Sequence, residues 1–264
     1  MTWALISVLL AAGAGQDPPP RDKLRLGIDY RWWGRDLQFR GTARAQDTSV
    51  GTSPTGATLD VQWFPASYFV DDRGADVGIT MRIDMAPQFI VTSDGRAGGV
   101  GSSVSEGASK FIGSVMQLRT GMMFRVPTRY AEPAVHAGFH AFEATMSASA
   151  SDGTVRPAIP NVSMQGPRLG LSLRLLEFWR ITFDIAAGAT WLMGLGEIST
   201  ARFFPGAKGS AFDAKIGLAF RTWRWLDVRL GVDVSVHALD LGNGATATDA
   251  FYGLSLGIVF KGIP

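Results

Sequence analysis

Hydrophobic and polar positions alternate with period two along most of this chain, the pattern of strands whose two faces meet different surroundings. From Leu24, the residues Leu24, Leu26, Ile28, Tyr30 and Trp32 share one face, and Arg25, Gly27, Asp29 and Arg31 share the other. The same alternation recurs at Leu59–Trp63 and Val77–Met85, more loosely at Ile112–Arg125, and at Val135–Ala141. It is cleanest toward the C-terminus, over Arg168–Leu175, Ile181–Trp191, Phe212–Arg221, Leu226–His237 and Tyr252–Lys261. These segments predict about ten strands. No stretch holds the roughly 20 consecutive apolar residues of a membrane helix.

The connections alternate too. Leu176–Trp179 and Arg221–Trp225 read as tight turns, with Pro65–Asp76 and Pro127–Pro133 as somewhat longer links on the same side. The stretches near 34–56, 87–109, 147–166, 193–209 and 239–248 read as long polar loops on the opposite side. An even strand number returns both termini to the short-turn end.

The polar face decides which solvent each side meets. It carries Arg25, Asp29, Arg82, Asp84, Arg119, Arg174, Asp184, Asp213, Lys215, Arg229, Asp233 and His237, interleaved with Gly, Ser and Thr. Mixed charges among small residues suit the inside of a narrow closed barrel, where each charge finds a partner, so these twelve are the candidate lumen-lining residues. Aromatic residues cluster at the short turns: Trp63, Phe64, Tyr68, Phe124, Tyr130, Phe178, Trp179, Trp223, Trp225 and Phe260. A second, sparser set (Trp32, Trp33, Phe142, Trp191 and Tyr252) lies near the long-loop ends. Two such rims are the interfacial girdles of a membrane barrel.

Composition adds exclusions. There is no cysteine, which removes disulfides, thiolate chemistry and an acylated-cysteine anchor. The formal charge is +2 with no Lys/Arg run, so nucleic acid is not an expected partner. Residues 1–14 hold an apolar run ending in Ala12-Gly13-Ala14, the small-x-small pattern of a cleaved secretory signal peptide. Residues 15–23, with Pro18, Pro19 and Pro20, read as a spacer before a barrel domain at 24–264.

The whole pattern from Leu24 to Lys261 resembles the bacterial outer-membrane β-barrel superfamily. The resemblance implies an all-β fold, a closed antiparallel up-and-down transmembrane β-barrel of about ten strands with short periplasmic turns and long extracellular loops. It also implies a Gram-negative cell envelope, outer-membrane lipid around the barrel, and periplasmic chaperones and the barrel-assembly machinery as partners. Tyr252–Phe260 fits the aromatic-ended last strand that this machinery reads in the superfamily, apart from the trailing Lys261-Gly262-Ile263-Pro264.

No catalytic, cofactor or metal motif is legible. His136 and His140 stand about 13 Å apart along one strand, too far to share an ion. The pairs His140/Glu143 and His237/Asp240 are the rim dyads that a catalytic reading would need. The glycines Gly95, Gly98, Gly99 and Gly101 lack a phosphate-loop context and read as loop. Charges on the long-loop side, Arg35, Arg40, Asp36, Asp240 and Asp249 among them, are balanced. The expected function is a non-enzymatic, structural or surface-interaction barrel with a largely filled lumen. A narrow channel of weak anion preference is the second reading, and a soluble lipocalin-like binder, with its greasy face inward, the third.

Overall fold

The structure is a computed structural model describing residues 22–41, 49–52, 54–69, 76–93, 109–128, 130–148, 160–178, 180–201 and 203–262. The signal-peptide reading, nearly all of the spacer and the glycine-rich run fall outside these residues.

Ten long strands wind in chain order around one sheet: β1 (Leu24–Arg40), β3 (Thr55–Trp63), β4 (Val77–Ser93), β5 (Ser109–Arg125), β6 (Ala131–Ala148), β7 (Val162–Phe178), β8 (Ile181–Leu192), β10 (Lys208–Trp223), β11 (Leu226–Gly242) and β12 (Ala245–Lys261). Two short strands, β2 (Ser49–Thr52) and β9 (Gly194–Gly196), add to β1 and β7. Every neighbour pairs antiparallel, and β12 closes on β1 without interruption from Arg25↔Lys261 to Arg40↔Thr246. Closure pairs the backbone groups of every long strand and leaves no sheet edge among them, the condition for strands to cross a lipid bilayer.

Each of the ten period-two segments is a strand, but the strands outrun the pattern. Most are 17 residues long, against the roughly 9–11 that span a bilayer. The extra length lies at the long-loop end, where the polarity of the wall reverses. On β1, Ile28, Tyr30 and Trp32 are exposed outward and Arg25, Asp29 and Arg31 buried inward. From Trp33 onward the inward residues are Trp33, Arg35, Leu37 and Phe39, while Asp36 and Gln38 face out and are half-buried. On β11 the outward row runs Val228, Leu230, Val232 and Val234 and then Asp240, and the inward row ends in Leu239 and Leu241. On β12, outward Tyr252, Leu254 and Leu256 give way to Thr246 and Thr248, and inward Ser255 gives way to Phe251 and Ala247. The lower barrel is apolar outside and polar inside; the upper barrel is the reverse, as in a soluble barrel.

The exposed apolar belt overturns a lipocalin-like orientation for the lower strands: Leu169, Leu171, Ile185, Phe212, Ile216 and Val232 are each 46–63% exposed. So large an apolar exterior is stable only against lipid. Trp63, Tyr68, Phe124, Tyr130, Trp223 and Trp225 rim its short-turn edge and Trp32, Trp191 and Tyr252 its upper edge. Trp223 stacks on Trp225, and Trp225 on Phe260, with ring centroids 6.0 Å apart in each pair. Three aromatics expected in the girdles are elsewhere. Phe64, Trp33 and Phe142 are 0, 4 and 3% exposed and point into the barrel, because each falls one residue out of phase with its strand's outward row. The stretch 239–248 is also not a long loop. β11 and β12 continue to a tight hairpin at Asn243-Gly244, both with positive φ (53° and 78°), as a two-residue type I′ connection requires.

Candidate functional site: the barrel lumen

The lumen is filled in tiers. At the short-turn end Glu132 on β6 gathers three arginines: Arg25 in a two-point pair at 2.6 and 3.1 Å, Arg125 at 3.6 Å and Arg174 at 4.0 Å. Arg25 also holds Asp22 at 2.9 Å, and Arg125 reaches Asp76 at 3.4 Å while lying 3.5 Å over the Phe64 ring. Arg174 bonds Asp184 at 2.6 Å.

The middle tier crosses the barrel. Arg229 grips both oxygens of Asp29 at 2.5 and 2.6 Å and touches Asp60 at 3.3 Å. Asp84 receives Arg82 at 3.1 Å, Arg31 at 2.7 Å and the Thr58 hydroxyl at 2.6 Å. Arg31 also bonds Asp233, which Arg82 approaches at 3.8 Å. Asp213 takes Arg168 in a two-point pair at 3.0 and 2.7 Å, with Arg119 at 4.0 Å. Buried carboxylates and guanidiniums in this density satisfy one another only as a set, so losing one partner strands the rest.

Room for the long arginines comes from glycine. A Cβ on Gly27 would lie 2.5 Å from Arg229 Nη2, and one on Gly188 would run into the Arg168 guanidinium. Arg229 thus lies over a glycine two strands away, and Arg168 over one on the adjacent strand.

Above the ions, Gln117 Nε2 donates to His140 Nε2 at 2.8 Å, leaving the ring proton on Nδ1, 3.3 Å from the Thr190 hydroxyl. His140 stacks on His237 at 5.8 Å, and His237 sits between Phe142 (4.7 Å) and Phe251 (5.9 Å). His136 shares a 2.7 Å hydrogen bond with Ser172. The topmost tier is apolar: Trp33, Leu37, Phe39, Phe142, Leu239 and Phe251 pack with Leu195 and Ile198, which the segment after β8 folds inward, and Phe204 lies against them.

Of the twelve residues read from the sequence as lumen-lining, ten enter the ion pairs above, His237 packs in the aromatic tier, and Lys215, on the wall of the central cavity, enters no ion pair among the described residues. Arg35 and Asp249, counted with the loop charges, are instead fully buried inside. Their positions were legible: Arg35 continues the odd-numbered inward row of Arg25, Asp29 and Arg31, and Asp249 that of Ser255 and Gly253. Glu132, the hub of the lower tier, was missed because Pro133 follows it and the alternation is legible only from Val135. Neither rim dyad forms. His140 and His237 point inward and are buried, while Glu143 and Asp240 face outward on the same strands and are exposed, as offsets of three residues demand.

A closed ten-stranded barrel, apolar outside and ionic inside, is the architecture of outer-membrane β-barrels. Among solved structures it resembles the outer membrane protease OmpT from Escherichia coli, at 8% identity over 94% of this chain and 99% of that one, with a TM-score of 0.52. The translocator domain of the autotransporter NalP from Neisseria meningitidis (10% identity, 97% and 95% covered, TM-score 0.41) and the outer membrane protein OprG from Pseudomonas aeruginosa (10%, 93% and 99%, 0.39) are more distant. At these identities the likeness is one of fold. No family model matches the chain, and no curated protein matches it in sequence.

Proposed function

We propose that this chain is an integral outer-membrane protein, delivered by periplasmic chaperones and inserted by the barrel-assembly machinery, that works as a closed structural or surface-interaction barrel. Its short turns face the periplasm and its strand extensions stand outside the cell. The observation that carries this reading is the apolar tier across the upper lumen. A path for ions needs continuous water or polar wall, and here Leu37, Phe39, Leu239 and Ile198, each at most 2% exposed, occupy it. The reversed wall supports an extracellular role, because strands that continue beyond the lipid with polar exteriors present a rigid, water-facing surface. The chain is not proposed as an enzyme.

The test is to refold the chain from Gly15 in detergent, confirm that unboiled protein migrates differently from boiled protein, and insert it into a planar bilayer. The expected result is heat-modifiable migration without discrete conductance. Discrete, anion-selective steps would replace this reading with a narrow channel.

A further inference from the structure

Below the apolar tier the lumen keeps a cavity of about 150 Å³. Seven cationic side chains and four carboxylates line it. Five of the cations are accounted for by the pairs described above, Arg82 and Arg229 using Asp84, Asp233 and Asp29 from outside the wall. Two are not. Arg119 comes no nearer than 4.0 Å to Asp213, whose two oxygens Arg168 already occupies, and its Nε and Nη2 are buried without a hydrogen-bond partner. Lys215 enters no ion pair among the described residues, and the charges acting on it include Arg82 and Arg229 as well as Asp60 and Asp29.

These two cations address the same space. Asp213 and Lys215 are successive inward residues of β10, roughly 7 Å apart along the strand, and Arg119 reaches across to the first of them. A buried cation without a counter-charge is costly, and a buried guanidinium with two free N–H groups is an acceptor-seeking fork. His136 and Ser172 add polar groups to the wall. Water reaches it, since the Asp184 and Arg174 side chains keep 32 and 20% of their surface. We propose that this cavity binds a small inorganic oxyanion of phosphate or sulfate type, held by Arg119 and Lys215 and entering from the short-turn end. The site goes beyond the closed-barrel reading and stands or falls separately from it, because bilayer conductance reports the upper tier and anion affinity the cavity beneath.

The experiment titrates the refolded chain, in a maltoside detergent that carries no phosphate, with inorganic phosphate at constant ionic strength set by chloride, read by calorimetry and by the unfolding temperature. Saturable binding is expected, with sulfate competing. Arg119→Gln and Lys215→Gln are each expected to weaken it about tenfold, one charge-assisted hydrogen bond's worth, while Arg224→Gln, at an exposed turn arginine, leaves it within about twofold. Retained heat-modifiability shows that each variant is folded, and Lys215→Met serves if the glutamine variant is not. A short-chain phosphatidylglycerol presents the same phosphate on acyl chains that the cavity cannot admit, so it is expected not to compete. Absence of saturable binding, unchanged affinity in both variants, or equal competition by the lipid would overturn the proposal.

Discussion

Arg35 and Asp249, 214 residues apart in sequence, meet as a two-point ion pair at 2.9 and 2.8 Å across the seam where the last strand closes on the first, both fully buried. Arg35 also lies 5.3 Å over the Phe251 ring, so the pair is enclosed within the apolar tier, against an aromatic face.

Asp249→Ala is therefore expected to destabilise the barrel by about 3–5 kcal/mol, the usual cost of leaving one member of a buried pair uncompensated. The double substitution Arg35→Met with Asp249→Leu is expected to recover most of that loss. Urea unfolding in lipid vesicles, followed by tryptophan fluorescence, measures both. Equal losses in the single and double variants would show that the side-chain volumes matter there rather than the charges.

The same seam carries a steric constraint lower down. Gly257 on β12 faces Asp29 on β1 in register, and a Cβ there would stand 2.2 Å from both Asp29 Oδ1 and the Ile28 carbonyl oxygen. The carbonyl belongs to the closing ladder and cannot move aside, and Asp29 is held by Arg229. Gly257→Ala is expected to cost about 1–3 kcal/mol, the range for overpacking, despite the added strand propensity. The same urea midpoint reads it, and a neutral result would mean that β12 can shift relative to β1.

How far the sequence could be read follows from one rule and its breakdown. Inside the lipid belt a strand has one apolar face, so period two marks Leu26, Ile28, Tyr30 and Trp32 without ambiguity. At Trp33 the apolar row moves to the odd positions, because beyond the lipid the outside is water and the inside must be apolar. A change of parity in a strand reads as its end, and so Leu37, Phe39, Leu239 and Leu241 look like loop residues in a linear scan. The inward direction of Asp29 and Arg229 was legible in the same way, but not that they meet. That depends on the barrel's stagger, which brings residues 200 positions apart to hydrogen-bonding distance and leaves no trace in either strand alone. The Asn243-Gly244 pair is itself a two-residue hairpin signal, but the same parity change makes its flanks, with Leu239 and Leu241, read as loop.

The parity change makes a sharp comparison on one strand. Thr248 and Leu256 both face outward on β12 and both are exposed, but one stands above the belt and the other within it, midway between Phe260 and Tyr252. Leu256→Arg is expected to lose about 2–4 kcal/mol by placing a charge against hydrocarbon near the bilayer midplane. Thr248→Arg is expected to change stability by less than about 0.5 kcal/mol, as for any solvated surface site. Unfolding in vesicles distinguishes them, whereas detergent, which adapts to the chain, compresses the difference. Equal costs at the two sites would place the lipid boundary above Thr248.

The apolar tier yields the last test, because a filled upper barrel and a solvated vestibule predict opposite outcomes at one residue. Leu239 is 2% exposed, points inward beyond the lipid belt, and packs in the cluster with Trp33, Phe142 and Phe251. In a packed core, Leu239→Ala removes apolar contact and leaves a void, at about 2–5 kcal/mol. In a wet vestibule the same change would fall within about 0.5 kcal/mol. Ala238→Ser, one residue before and facing outward to solvent, controls for any effect of altering the strand itself and is expected to be near neutral. A large loss at 239 with none at 238, measured as paired urea midpoints, is the result that a closed upper lumen requires. Neutrality at both would mean that water fills the upper barrel, and with it the argument against solute passage would fail.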